Sequence, residues 1–248
     1  MRSNDAGSAT LPSASGLHPD GAAAPGALVA AGLDDSQQVS GILKAAEGKK
    51  ITTLAVAFKA SLAVTEDGTL LGAGEDRYQY VSGILKAAKG KKITAVSGYE
   101  LTLLVVTEDG TLLAAGDGAV EILRDTEGKK VRAVTASSGF AVVVGEDGTL
   151  SAAGRESGGQ MAAIVKATEG KKITITDCGS GYCLAVTEEG TLLTSSPSDT
   201  SFSAQLVKAA EGKKIRDVSA GVSVAMAVTE DGSCWPPETT DTSRCRGS

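Results

Sequence analysis

Residues 65–70 read TEDGTL, and this string recurs along the chain at residues 107–112 (TEDGTL), 145–150 (GEDGTL), 187–192 (TEEGTL) and 229–234 (TEDGSC). The turn glycines are spaced by 42, 38, 42 and 42 residues, at Gly68, Gly110, Gly148, Gly190 and Gly232. A second string, EGKK or KGKK, keeps the same step, with glycines at Gly48, Gly90, Gly128, Gly170 and Gly212. Two markers in phase at a period near 42 predict a propeller or a solenoid built from repeats.

Each unit contains four apolar segments bounded by turn-forming residues. The second segment is an unbroken apolar triplet, such as residues 62–64 (LAV), which is typical of a strand covered on both faces. Asp-Gly or Glu-Gly follows it, a strong hairpin signal because glycine accepts positive φ. The fourth segment, as in residues 39–48 (VSGILKAAEG), could also form a helix. Only six residues separate Gly83 from Gly90, too few for a stable isolated helix, so we predict a fourth strand there.

The pattern I-x-x-V, then Gly or Ala, then an apolar run and TEDG resembles the regulator-of-chromosome-condensation repeat. It is clearest in residues 215–232 (IRDVSAGVSVAMAVTEDG), and residues 154–161 (GRESGGQM) are similar to that family's G-x-N-x-x-G-Q-L loop. The resemblance covers about residues 26–235 and implies a β-propeller, in a superfamily that also includes a secreted β-lactamase-inhibitor propeller. The family's recurrent histidine is missing, since His18 is the single histidine, and Ala73 stands where tryptophan is expected. The resemblance therefore implies the fold and not a subfamily's function.

Counting segments predicts an all-β protein, a β-propeller of about five four-stranded antiparallel blades of 38 to 42 residues each. The leading half-blade, residues 26–47, could complete the trailing half-blade, residues 215–231, so that no edge strand stays open. Seven blades are usual in the family that the chain resembles. An open arc, a fragment of a longer protein and a ring completed by a second chain, hence an oligomer, are the alternatives.

The segments outside the repeats have a different composition. Residues 1–25 are rich in Ala, Ser, Gly and Pro and are predicted to form a disordered tail. Residues 26–235 form the predicted propeller domain, and residues 236–248 a flexible tail. Asp5 and Asp20 argue against a targeting peptide, although organelle targeting by residues 1–25 stays open.

Composition excludes several classes of function. The chain has 24 Lys and Arg against 30 Asp and Glu, and this net charge of −6 disfavours nucleic acid as a partner. The apolar runs are far shorter than the roughly 20 residues that a bilayer helix needs, so we expect a soluble protein without membrane insertion. Cys178 and Cys183 occupy positions that are otherwise small or apolar, which favours packed thiols over a disulfide. A reduced, cytoplasmic or nuclear setting follows from that interpretation. With no CxxC and no histidine in the repeats, neither a metal site nor a cofactor is expected.

The two ends of the blades differ in sequence. The EDG and EGKK turns emerge together at one end, which we call the hairpin end; the other connections form the loop end. The hairpin end is uniform, and Glu66-Asp67 lacks the spaced oxygen ligands that calcium requires. The loop end varies between units and carries seven of the eight aromatic residues. Variable loops on a rigid scaffold are typical of binding surfaces. The alternative is that these aromatics plug the mouth of the propeller, with Phe140 and Tyr182 pointing inward. The predicted partner-binding residues are Phe58, Lys59, Tyr78, Gln79, Tyr80, Tyr99, Glu100, Phe140, Arg155, Gln160, Tyr182 and Phe202.

These features predict a non-enzymatic scaffold that binds another protein through the loop end. Without a histidine in the repeats, neither a Ser/His/Asp nor a Cys/His set can form, and no phosphate-cradling glycine loop is present. Guanine-nucleotide exchange on a small GTPase, which the resemblance implies for some family members, needs no such residues and is one alternative. A carbohydrate-binding propeller is another, but it predicts one stacking aromatic at the same position of every unit.

Overall fold

The structure is a computed structural model that describes residues 28–76, 78–138, 140–155, 159–196 and 201–231. Each of the first four repeat units forms a three-stranded antiparallel sheet in which consecutive strands pair. The sheets comprise β1 Ile51–Val56, β2 Ala60–Thr65 and β3 Leu70–Gly74; β4 Ile93–Tyr99, β5 Thr102–Thr107 and β6 Leu112–Gly116; β7 Val131–Ala136, β8 Phe140–Gly145 and β9 Leu150–Gly154; and β10 Ile173–Gly179, β11 Tyr182–Thr187 and β12 Leu192–Thr194. The fifth unit contributes β13 Ile215–Ala220 and β14 Ala225–Thr229.

The fourth segment of each unit is an α-helix, so the predicted fourth strand is wrong. The helices are α1 Ser40–Ala46, α2 Tyr80–Ala88, α3 Ala119–Asp125, α4 Gln160–Thr168 and α5 Phe202–Ala209. In α2 the buried residues Val81, Ile84 and Ala88 recur at spacings of three and four, the period of one helix face. Gly83 lies inside the helix rather than before it. A Cβ at this residue would meet nothing within 4 Å. These short helices are stabilised by packing on the sheets rather than by intrinsic propensity.

The core runs between successive units. Strands β5 and β11 are buried along their whole length, as the apolar triplets predict. Each of the helices α2 to α4 lies between the third strand of its own unit and a sheet of the next unit. In the first core cluster, Leu62 and Val64 of β2 pack with Ile84 of α2 and Val105 of β5. The first three sheets are therefore each held against the next sheet through the helix that follows them in the chain.

Ring closure is not seen among the described residues. Strand β13 pairs with β14, and no third strand is added to this sheet in the part of the chain that the structure describes. Residues 28–32, the predicted closing strand, have no strand partner. Elements of the first and last units share at most marginal contact. The repeated antiparallel sheets of a propeller are confirmed, whereas the closing pairing remains a prediction.

The predicted tails, residues 1–25 and 236–248, lie outside the described residues, as does the turn glycine Gly232. The other four EDG or EEG turn glycines have positive φ, as predicted: Gly68, Gly110, Gly148 and Gly190. None of the helices in the described ranges is long and apolar enough to cross a membrane.

Candidate functional site

At the loop end of the first two units, a hydrogen bond ties the connection after the first strand to the end of the third strand. The Glu75 amide donates to the Lys59 carbonyl oxygen at 2.8 Å, and the Asp117 amide donates to the Leu101 carbonyl oxygen at 3.1 Å. In the first unit the Lys59 ammonium also lies 3.4 Å from a Glu75 carboxylate oxygen and 3.5 Å from one of Asp35. The two kinds of connection therefore lie side by side.

Neighbouring units are joined across this end. The Phe58 amide donates to the Glu100 carbonyl oxygen at 2.9 Å. The Ser138 hydroxyl donates to Glu100 Oε2 at 3.0 Å. The Arg155 guanidinium forms an ion pair with Asp117. Loops from the first, second and third units thus form one continuous surface.

Two of the predicted aromatics are well exposed on this surface. Phe58 is 70% exposed and Tyr78 is 62% exposed. The Lys59 ammonium lies 5.9 Å from the centroid of the Phe58 ring, and the Tyr78 ring centroid lies 5.5 Å from that of Tyr80. The first unit therefore presents a cation and two aromatic rings at the loop end, residue types that are enriched at or favourable in protein interfaces.

The other predicted residues are distributed between the surface and the core. Gln79 and Glu100 are exposed and have positive φ, at 59° and 45°. Tyr80 and Tyr99 are half-buried and pack on the first and second core clusters, respectively. Gln160 is half-buried at the first residue of α4, and Arg155 is exposed.

Phe140 and Tyr182 are corrected by the structure. They are only 5% and 4% exposed, so their side chains belong to the core and do not present a surface to a partner. Tyr182 donates its hydroxyl to the Val224 carbonyl oxygen at 2.8 Å. Burial, with a smaller effect of the Asp177 charge, raises the pKa of Tyr182 to about 12. The plugging alternative therefore describes these two residues.

Phe202 stands between the two groups. It is 40% exposed, and its ring meets the Tyr182 ring edge-on, with centroids 5.0 Å apart and planes at 86°. The buried tyrosine thus positions an exposed phenylalanine in the fourth unit.

Leu101 and Val120 are among the exposed apolar residues at this end that the sequence does not single out. Leu101 is 49% exposed and precedes β5, and Val120 is 78% exposed in the first turn of α3. Leu101 could have been found from the sequence, because this turn position varies between units: it carries Lys59 in the first unit and Gly181 in the fourth. Val120 could not be recognised while its segment was assigned to a strand.

Cys178 and Cys183 form a disulfide, so the prediction of two packed thiols is wrong. They face each other directly across β10 and β11, next to the loop end, and both are buried. The alignment with small residues indicated burial but could not show that the two positions are opposite each other. The disulfide leaves no free thiol at these two positions, so they do not indicate a reduced compartment.

The hairpin end uses its carboxylates within its own turns. Asp109 accepts hydrogen bonds from the Thr107 hydroxyl and from the Thr111 amide, the latter at 3.2 Å. These hydrogen bonds, that of Thr107 first, lower the pKa of Asp109 to about 2. The Asp67 and Asp147 pKa values are also lowered, chiefly by hydrogen bonds from Thr65 and Thr149. The expectation that no metal binds here stays a prediction.

The structure resembles solved propellers at low sequence identity. Human WBSCR16 is 16% identical with a TM-score of 0.55, covering 73% of this chain and 58% of that chain. Yeast RCC1 (Prp20) bound to Kap60 is 14% identical with a TM-score of 0.56, covering 75% and 55%. The ectodomain of the Physcomitrella patens receptor kinase CR4 is 12% identical with a TM-score of 0.56, covering 73% and 51%. The chain thus has an RCC1-like propeller fold and spans little more than half the length of these proteins. No family model matches the sequence, and neither does any curated protein.

Proposed function

We propose that this protein is a non-enzymatic scaffold that binds another protein through its loop end. The observation that carries the proposal is the continuous surface on which Phe58, Tyr78 and Leu101 are exposed. Apolar and aromatic side chains with this degree of exposure are typical of interface residues when they are grouped on a rigid support.

The electrostatics of this surface favour a partner with mixed charges. Lys59 and Arg155 lie beside Glu75 and Asp117, so cations and anions alternate along the rim. Such a rim gives orientation and specificity to a contact whose affinity comes from the apolar side chains.

Solved relatives support a protein partner. Yeast Prp20 has been crystallised with Kap60, and its structure is described together with its binding to Gsp1p and histones. Because Prp20 is only 14% identical to this chain, its partners are not carried over, and we propose only that the partner is a protein.

Affinity capture followed by mass spectrometry tests this proposal. The parent chain is compared with a Phe58→Ser, Tyr78→Ser double variant and with a Val165→Ser control. Val165 is 40% exposed on α4, away from the loops, so its loss removes apolar surface elsewhere. We expect the double variant to lose the captured protein and the control to keep it. Equal recovery by all three chains would refute the loop-end proposal.

Regulation of a small GTPase by nucleotide exchange is a second candidate, motivated by the Prp20-like fold. A nucleotide-release assay against a panel of small GTPases tests it, and no acceleration across the panel would exclude it. A carbohydrate-binding function is less well supported. Phe58 lies after a first strand, whereas Tyr78 and Phe202 lie before or at the start of helices, so no regular stacking platform is formed.

A further inference from the structure

In the part of the chain that the structure describes, the last sheet lacks the cover that the corresponding sheets have. Met226 and Val228 of β14 are 57% and 37% exposed. At the equivalent positions of β2, Leu62 and Val64 are each 1% exposed. There the cover comes from α2 and the following sheet. The final unit therefore presents an apolar face, which we call the open face: Val222, Val224, Met226 and Val228, all of which are more than a third exposed.

This sheet also has an unpaired edge among the described residues. In the first unit, β2 pairs with β3 from Ala60↔Gly74 to Val64↔Leu70. Strand β14 is equivalent to β2, but its second edge has no strand beside it in the described part of the chain. Exposed backbone amides and carbonyls on such an edge are a template for another strand.

The opposite end of the series carries a matching segment. Residues 28–32 (LVAAG) precede α1 as Leu70–Gly74 (LLGAG) precede α2. Gly32 has a φ of 146°, in the same range as 128° at Gly74 and 113° at Gly154, where other third strands end. Gln37 and Gln79, just before α1 and α2, both have a φ of 59°. Residues 28–37 thus have the backbone of a strand-to-helix connection, although no strand pairs with them.

Helix α1 has one face covered and another free. Ile42 and Ala46 pack on Ala63 and Leu71 of the first unit. In α2, Val81 and Leu85 lie against Gly72 of the preceding third strand. Their equivalents are Val39, just before α1, and Leu43 within α1, and both are only half-buried. Val29 and Leu33, on the segment before α1, are 89% and 78% exposed.

We infer that copies of this chain associate head to tail, with residues 28–46 of one copy completing the last sheet of another. Residues 28–32 would pair antiparallel with β14 in the register of β2 and β3, placing Leu28 opposite Val228 and Ala30 opposite Met226. Helix α1 of the donor copy then covers the open face, as α2 covers Leu62 and Val64.

The contact continues an interface that the chain already forms between each pair of successive units. A second copy is the occupant because the first and last units of one copy share at most marginal contact. Since the two surfaces are different, the association is heterologous and can continue from copy to copy.

Sedimentation velocity across a range of protein concentrations tests the inference. All proteins carry Cys234→Ser and Cys245→Ser, so that thiol oxidation does not link copies. The acceptor variant is Met226→Glu, Val228→Glu, which places charge on the open face. The donor variant is Val29→Pro, Ala30→Pro, which removes two amides from a segment that has no strand partner among the described residues of its own copy. Val165→Glu is the control for added surface charge.

We expect the parent and the control to form species larger than dimers as concentration rises, and each variant alone to associate at least tenfold more weakly. The acceptor variant retains the donor segment and the donor variant retains the open face. Their equimolar mixture should therefore give a discrete dimer, which also shows that both variants are folded. A parent that stays monomeric at every concentration, whether its segment closes on its own β14 or stays free, would overturn the inference. So would a mixture that stays monomeric while the parent associates.

Discussion

At the hairpin end the same two backbone groups meet between every pair of successive units, whereas at the loop end the groups that join two units differ from one pair to the next. The amide of the residue that opens a first strand donates to the turn-glycine carbonyl of the preceding unit, as from Ile93 to Gly68 and from Ile215 to Gly190, at 2.8 to 2.9 Å. At the loop end, Ser138 meets Glu100 and Tyr182 meets Val224. A bond between backbones fixes the stacking of units whatever the side chains. The loop end is therefore free to carry a surface specific to this protein.

The largest effect we expect comes from Gly116, where the loop end depends on backbone contact alone. A Cβ at this residue would lie 1.6 Å from the Leu101 carbonyl oxygen, and φ is 98°. Gly116→Ala should lower the free energy of unfolding by about 3 kcal/mol or more, because backbone must move. Chemical denaturation measures this. Gly170→Ala, at a φ of 71° with nothing within 4 Å, is the control and should cost about 1 kcal/mol. Equal losses would show that the close approach is unimportant.

The disulfide should have the next largest effect. Cys178 and Cys183 close a short loop beside the loop end of the fourth unit. Replacing both by serine should cost about 2 kcal/mol, since the unfolded chain gains loop entropy. Denaturation with and without a reductant provides a second measurement. If the reductant leaves the parent unchanged while the disulfide is shown to be broken, the cross-link does not stabilise this end.

Tyr182→Phe tests how much one of the side-chain hydrogen bonds between the fourth and fifth units contributes to stability. It removes the hydroxyl that donates to Val224 and leaves the ring on Phe202. We expect a loss of about 1 kcal/mol, the usual net value of one hydrogen bond. Tyr80→Phe, which removes a hydroxyl from a half-buried ring in the first unit, is the matched control and should leave the stability nearly unchanged. A similar loss in both variants would contradict a specific role for the Tyr182 hydroxyl.

The smallest effect concerns pH at the hairpin end. The Asp109 pKa is about 2 in the folded chain, below its value near 3.9 in an unfolded chain. A lowered folded pKa stabilises the fold above pH 4, and this contribution is lost as the pH falls from about 4 towards 2. Asp109→Asn should therefore lose less stability than the parent over that interval in thermal unfolding. Parallel curves for the two proteins would contradict this assignment.

Much of the repeat could be predicted from the sequence because its signals are local. The EDG turns and the buried triplets of β2, β5, β8 and β11 follow from glycine at positive φ and from continuous apolar residues. The hairpin end was assigned correctly, since Lys50 and Glu66 lie 3.6 Å apart as the pairing of the two turns requires.

The helices and part of the loop end could not be predicted, because they depend on packing between units. The sequence predicts that a short segment begins after Gly83, whereas the helix includes Gly83 and buries Ile84 between two sheets. Tyr182 could be placed near the loop end but not in the core, because its burial depends on Phe202 and Val224 from elsewhere in the chain. The partner-binding role of the exposed residues stays a prediction.

Hydrogen exchange of the protein alone and in complex with its captured partner tests the central claim most directly. Residues 57–60 and 99–102, in the loops after β1 and β4, should gain protection on binding, and the EDG turns should exchange at the same rate in both states. Protection confined to the EDG turns, with these loops unchanged, would contradict the assignment of the loop end as the binding surface.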